Sequence, residues 1–275
     1  MAEHTSPPTG WQLEQRGPEA YEEYLVPEMF EPWAERLIER VEPENDDSVL
    51  DVACGTGIVA RRVASRLPDA GTVVGLDINE AMLAVAEESA ADVTPTIEWQ
   101  HGDATDIPFP DASFDLVFCQ QALQFVDDPS VALEEMHRIL APGGRLGVSV
   151  WRPLEFNYAY VVLADALGRH VGDEAATMMR SPFPDWDGDD VRSLVRDQKF
   201  RAFSVIIEIG SMRYPSTEAF VRREAASSPL AEPIAELTKE GRDDLVQEVE
   251  DGLAEYIDDE GIVFPMESYV LTAHR

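Results

Sequence analysis

The stretch SVLDVACGTGIVA, residues 48 to 60, constrains the fold of this chain more than any other. Ser48 to Val52 is an apolar run of strand length, it stops at a glycine-rich turn, and Ile58, Val59, Val63 and Leu67 then recur at helical spacing. That order predicts a strand, a tight turn and a helix. Gly55, Gly57 and Ala60 fit the G-x-G-x-x-G/A pattern, in which glycines let the backbone approach a ligand at the positive end of the following helix. Asp77 ends the next apolar run, TVVGLD, where dinucleotide folds place an acidic side chain against ribose hydroxyls. A third run, TIEWQ, leads into Gly102, Asp103 and Ala104 and sets another carboxylate at the same sheet edge.

The pattern continues as an open α/β sheet. Asn79 is suited to cap a helix through Met82, Leu83, Val85 and Ala86. Phe114 to Cys119 is a near-continuous apolar strand that opens at Gln120 and Gln121, and a helix through Val131, Leu133, Met136, Ile139 and Leu140 stops at Pro142 before the strand RLGVSVW. Strands alternating with helices of this length predict βαβ units and a mainly parallel sheet. Beyond Trp151 the rhythm breaks into an insertion of helical patterns over 153–199. Phe203, Val205, Ile207 and Ile209 then alternate as a sixth strand, an acidic helical stretch runs from Pro215 to Asp259, and Ile262 to Thr272 closes the sheet. Upstream, residues 1–17 are expected to be a mobile tail. Tyr21, Tyr24, Leu25, Phe30, Trp33, Leu37, Ile38 and Val41 suggest one or two helices interrupted near Pro27 and Pro32. The expected organisation is therefore a single domain over 18–275, with a core at 46–152 and 200–275 and a helical cap at 18–45 and 153–199.

Charge narrows the partners. The 54 acidic residues against 21 basic ones give a formal net charge of -33, which repels nucleic acid and anionic membrane. Lys199 and Lys239 are the only lysines. Carboxylate excess with so little lysine is the expected surface of a protein adapted to high salt, a halophilic coat whose self-repulsion is screened. Cys54 and Cys119, the only cysteines, argue against a disulfide scaffold or a four-cysteine zinc site, and no metal is expected. Without an 18-residue apolar run or a basic-then-apolar N-terminus, the expectation is a soluble, cytoplasmic chain with no stable membrane insertion.

Four motifs in order, LDVACGTG (50–57), VVGLDIN (73–79), GDATDIPFPDASFDLVFCQQALQF (102–125) and LAPGGRLGVSVW (140–151), resemble those of the class I S-adenosylmethionine-dependent methyltransferases. Within them the chain is similar to the small-molecule group that includes the ubiquinone and menaquinone biosynthesis methyltransferases. The resemblance implies a Rossmann-like, seven-stranded, mainly parallel sheet whose last strand is antiparallel, under a helical lid. It implies S-adenosyl-L-methionine as cofactor. Gly55, Thr56 and Gly57 would form the turn under its methionine half, with Asp51 organising that turn. Asp77 would accept from both ribose hydroxyls, and Ile78, with Met82 beyond it, would lie against the adenine. Asp103 would accept from the adenine amino group beside Gly102 and the Ala104 backbone. Cys119, through its carbonyl, and Gln120 would border the methionine amino group and the methyl to be transferred. Ala53 stands where the commonest pattern has its first glycine.

Methyl transfer from a sulfonium is an in-line displacement in which the protein mainly aligns and encloses. No general base stands out: His101 and His137 read as structural or exposed, and His170 lies in the insertion, within reach of the pocket. Tyr21, Tyr24, Phe30, Trp33, Phe156, Tyr158, Phe183 and Trp186 suggest an apolar chamber for a small methyl acceptor, and Gln121 and Gln124 could orient it. Two rivals are a nicotinamide-dependent oxidoreductase, against which no Tyr-x-x-x-Lys pair is present, and a regulatory protein that binds the cofactor without catalysis.

Overall fold

A computed structural model describes residues 17–67 and 71–275. All of the expected mobile tail except Gly17 lies outside the described residues.

The strands are β1 (Ser48–Val52), β2 (Thr72–Asp77), β3 (Ile97–His101), β4 (Phe114–Gln120), β5 (Leu140–Trp151), β6 (Ala202–Tyr214), β7 (Ile257–Asp258) and β8 (Gly261–His274). They form one sheet in the order β3-β2-β1-β4-β5-β8-β6, and the two-residue β7 pairs with β8 off this path. β1 to β5 pair in parallel. β8 runs antiparallel to both β5 and β6. The expected seven-strand path with its last strand reversed is present, and β7 adds a short exposed ribbon.

Side-chain alternation decides which residues can meet at the strand ends. On β1, Val49 packs with Leu37, Ile38, Val59 and Val63 on one face, whereas Leu50 and Val52 join Leu133, Met136 and Leu146 on the other. On β2, Val73 belongs to the first face and Val74 and Leu76 to the second; on β4, Leu116 and Phe118 belong to the first and Val117 and Cys119 to the second. Asp51, Asp77 and Gln120 share the parity of the first face. All three therefore emerge beside the helix Ile58–Ala64 at the carboxyl ends of adjacent strands, where open α/β sheets bind their ligands.

The cap differs from expectation in two ways. Gly17–Ala20, Tyr21–Phe30 and Glu31–Val41 follow one another without a break. Tyr21–Phe30 is a π-helical stretch that contains Pro27, and the Glu31 amide bonds to the Val26 carbonyl five residues back. The wider turn lets the backbone carry a residue that has no N–H to donate. Pro32 falls in the first turn of Glu31–Val41, where a proline costs no hydrogen bond. Secondly, Tyr160, Leu163 and Leu167 of Tyr158–His170 share an apolar cluster with Leu230, Leu245, Val249 and Leu253, so helices between β6 and β8 pack with the 153–199 insertion. Within that insertion, Val191 and Val195 of Gly188–Arg196 pack on the opposite sheet face with Leu133 and Leu271. Among the described residues no helix is long and apolar enough to cross a membrane.

Candidate functional site

A cavity of about 390 Å³ opens at the carboxyl ends of β1, β2 and β4 under the π-helical stretch, a size ordinary for a small-molecule site. Asp51, Ala53, Gly55, Asp77, Ile78, Met82, Gly102, Asp103, Ala104 and Gln120 line it. At its far end the walls are Met29, Phe30, Trp151, Tyr160, Phe183, Glu224 and Met266. Among the described residues no lysine or arginine lines it.

Two buried carboxylates hold the turn. Asp51 Oδ2 accepts from the Ala60 amide at 3.0 Å, and Asp77 accepts from the Gly55 amide at 2.7 Å and from the Asn79 amide at 2.8 Å. Burial, reinforced by the charge of Asp77, pushes the Asp51 carboxyl up to about 8. Burial also raises Asp77 above the usual carboxylate range, against the pull of its backbone donors. Both groups thus carry an uncompensated desolvation cost that a cation in the cavity would offset. Asp103 sits in the open: its Oδ1 accepts from the Thr105 amide and hydroxyl, each at 2.8 Å. Further acceptors are unmatched, because Oε1 of Gln120 and Oε1 of Gln121 are buried without a partner.

The turn itself is strained at one residue. Ala53 has φ 53°, in the left-handed region that glycine adopts at little cost. The departure from the family pattern is therefore felt in the backbone and not only as a methyl group in the turn. Ala53→Gly relieves that conformation but loosens the unfolded chain. The expected net change is small, between zero and about 1 kcal/mol of added stability, read by denaturant unfolding.

Three further expected site residues, Thr56, Gly57 and Cys119, do not line the cavity. Thr56 is buried outside the cavity lining, with its hydroxyl unpartnered. Gly57 faces Trp99 instead: a Cβ there would come within 2.3 Å of the indole. The Cys119 side chain has the opposite parity from Gln120 and is sealed in the far-face cluster, so only its carbonyl is left for the expected role.

Of the expected chamber, Tyr21, Phe30 and Phe183 line the space. Tyr21 stacks on Phe30 at 4.8 Å, and the Gln120 amide donates to the Phe30 carbonyl at 2.8 Å, tying the lid to β4. Trp33 stands behind Trp151 in an edge contact at 5.3 Å and reaches the ligand space only through it. Tyr24 lies beneath the Arg223 guanidinium, 5.9 Å from its ring centre. Phe156 is 40% exposed with Arg152 stacked on it at 3.5 Å. Tyr158 is exposed beside Tyr256, and Trp186 covers the opposite sheet face near Val191. Gln124 donates to the Gln121 carbonyl at 3.1 Å and lies outside the lining. The three candidate histidines are occupied: His101 bonds the Ile78 carbonyl at 3.0 Å, His137 packs edge-on against Phe200 at 5.0 Å, and His170 meets Glu248 at 2.7 Å.

Residues 50–148 match the family described as Methyltransferase domain. Over that segment the chain is similar to a methyltransferase domain. It is 39% identical over 116 residues to the 2-phytyl-1,4-naphtoquinone methyltransferase of Thermosynechococcus vestitus, covering 42% of this chain and 51% of that protein. Over 124 residues it is 42% identical to the nocamycin O-methyltransferase of Saccharothrix syringae, covering 44% of each. The chain thus spans about half the length of the curated relatives it matches. Over 94% of the chain and 56% of the other, the fold superposes on the phosphoethanolamine N-methyltransferase 2 of Haemonchus contortus in complex with S-adenosyl-L-methionine, with a TM-score of 0.57 at 20% identity. The shared fold therefore extends well beyond residues 50–148, while sequence likeness is concentrated in the sheet motifs around the cavity.

Proposed function

We propose that this chain transfers a methyl group from S-adenosyl-L-methionine to a small, largely apolar acceptor. The observation that carries this reading is the acidic lining of the cavity: Asp51 and Asp77 are buried at adjacent strand ends, Asp103 stands at the rim, and no lysine or arginine among the described residues lines the space. The residues fit a ligand that is cationic and rich in donors, with a sulfonium, an ammonium, ribose hydroxyls and an adenine amino group. They do not fit a pyrophosphate. The Gly55 and Ala60 amides, which an anion at this turn would need, are already given to Asp77 and Asp51. This counts against the nicotinamide reading.

In this reading Asp77 receives the ribose hydroxyls, Asp103 and the Ala104 backbone meet the adenine edge, and Ile78, 59% exposed, covers the ring. Asp51 supplies negative potential under the methionine half, beside Gly55 and Gln120. When bound, the cofactor supplies an activated methyl group on a positively charged sulfur. The protein aligns the acceptor and excludes water, and the walls formed by Phe30, Trp151 and Phe183 suit both tasks. A protein that only sensed the cofactor would have no use for this second compartment. The naphtoquinone and nocamycin in the names of the relatives are compatible with such walls. Cytoplasmic placement and the division into a core and a cap remain part of the same reading.

Calorimetry at high salt with S-adenosylmethionine, S-adenosylhomocysteine and NAD in parallel tests it; binding of NAD alone would reject it. Asp77→Ala would also strip two backbone donors of their partner, so Asp77→Asn is the sharper variant. Loss of a charge-assisted pair of hydrogen bonds should weaken S-adenosylhomocysteine binding by about 10- to 100-fold. Asp103→Ala, at an exposed carboxylate, should cost only about threefold.

A further inference from the structure

Glu224, on the helix Thr217–Ala226, is 1% exposed yet borders the cavity at its cap end. The hydroxyls of Tyr160 and Tyr214 both donate to its Oε1, each at 2.9 Å. No donor among the described residues is bonded to Oε2. The tyrosines fix the carboxyl without neutralising it, and the second oxygen is left for whatever enters beside Trp151, Phe183 and Met266.

The surroundings supply no counter-charge. Arg223, next in sequence, is turned to Glu28 of the π-helical stretch at 2.7 Å. Glu19, Glu232 and Glu236 on the adjoining helices are exposed. The charged side chains of Lys239–Gly252 are exposed too, apart from Glu248, which Arg169 and His170 hold. On β6, Arg213 is paired with Asp258 at 2.6 Å. A carboxylate so placed is a costly feature for stability alone, since an apolar side chain would fill the space without desolvating a charge.

We propose that Glu224 is the proton acceptor of the reaction, taking the proton of an acidic hydroxyl, phenolic or enolic, on a methyl acceptor held at the cap end of the cavity. This rests on the methyltransferase reading and names its substrate class. The acceptor's O–H bond breaks, the proton joins Glu224 Oε2, and the electron pair stays on the acceptor. That pair, on the acceptor oxygen, forms the new bond to the methyl carbon while the carbon–sulfur pair remains on sulfur. Glu224 returns the proton to water once product leaves. Burial lifts the Glu224 carboxyl to about 7 even though both tyrosine bonds oppose the rise, so its basicity suits a proton transfer near neutrality. The same burial keeps the phenols of Tyr160 and Tyr214 protonated and therefore donating.

The test uses the full chain saturated with S-adenosylhomocysteine, whose own binding is measured first, and 4-nitrophenol as the probe. If S-adenosylhomocysteine does not bind, the methyltransferase reading fails; if it binds, the following arms judge Glu224 alone. Above the ionisation of both probe and Glu224, the complex should take up about one proton, because Glu224 and the probe share it. Wild-type affinity for the probe should then fall by about tenfold per pH unit, and calorimetry in buffers of different ionisation enthalpy should record the uptake. Glu224→Gln should abolish both the uptake and the slope with S-adenosylhomocysteine affinity unchanged. Tyr214→Phe, outside the cavity lining, removes a bond that favours the carboxylate and should move the midpoint of the slope upward. Equal proton uptake in wild type and Glu224→Gln, an unmoved midpoint in Tyr214→Phe, or no binding of 4-nitrophenol to the wild-type complex would each overturn the proposal.

Discussion

Asp51→Asn should make the ligand-free protein more stable and, in the same molecule, cost most of its affinity for S-adenosylmethionine. Asp51 is 1% exposed and shares its cavity with Asp77. Its carboxyl titrates at about 8 in the folded chain against an ordinary 3.8. A raised acid binds more protons folded than unfolded, so its contribution to stability falls as pH climbs from near 4 to near 8, by up to about 1.4 kcal/mol per unit. An asparagine keeps an oxygen for the Ala60 amide and has no charge to bury, which removes that slope. The cationic ligand reverses the balance, because its positive charge is what makes the ionised form of Asp51 favourable. Wild-type affinity should therefore rise with pH from 6 towards 8, with release of a proton on binding. Asp51→Asn should flatten the profile and bind about 100-fold more weakly, the scale of a lost buried charge pair. Thermal unfolding without ligand and calorimetry across pH read the two halves. A pH-independent wild-type affinity would remove Asp51 from the site.

The sheet was legible in the sequence because its signals are local. Apolar runs of strand length ended at Val52, Asp77 and Gln120, and the period of two then placed Asp51, Asp77 and Gln120 on one face. The same period turns the Cys119 side chain to the other face, which leaves only its backbone carbonyl to meet a ligand at this edge. The cap was legible only in composition. Aromatic content promised a chamber, but which rings reach the ligand is decided by tertiary packing: Trp33 stops behind Trp151, Arg152 covers Phe156, and Trp186 joins the opposite sheet face. The helical stretch through Pro27 read as interrupted because a proline ordinarily ends an α-helix, whereas a π-turn carries it.

Glu224 was hidden for a different reason. It lies in an acidic helical stretch of a chain with 54 carboxylates, so its residue type carried no information. The distinguishing facts are burial and two tyrosine hydroxyls, one from Tyr158–His170 and one from β6, that converge on one oxygen. Tyr214 sits ten residues before Glu224, and Tyr160 sixty-four residues before it. No spacing rule joins those positions, because the helix–strand geometry that unites them is set by the apolar cluster around Phe220 and Phe264. An acidic surface coat thus masks functional carboxylates that would stand out in a chain of ordinary charge.

The two turn glycines should separate binding from folding. Gly57 has φ 80°, and a Cβ on it would meet Trp99 Cη2 at 2.3 Å. The same indole also closes on Gly75, where a Cβ would lie 2.4 Å from Cζ3, so the ring is wedged between two glycines and has little room to retreat. Gly57→Ala combines the left-handed penalty with overpacking, for an expected loss of about 3 kcal/mol, or roughly 6 to 10 °C in melting temperature. The molecules still folded should bind S-adenosylhomocysteine nearly as before, since Gly57 does not line the cavity. Gly55 has φ 56° and lines the cavity, and a Cβ there would find no protein atom within 4 Å. Its alanine variant should lose only about 1 kcal/mol of stability, yet the methyl group enters the space assigned to the ligand and should weaken binding by about tenfold or more. Reversal of the two patterns, with Gly55→Ala unstable but binding and Gly57→Ala stable but not, would mean that the turn meets its ligand through the other glycine and that the cofactor lies on the Trp99 side.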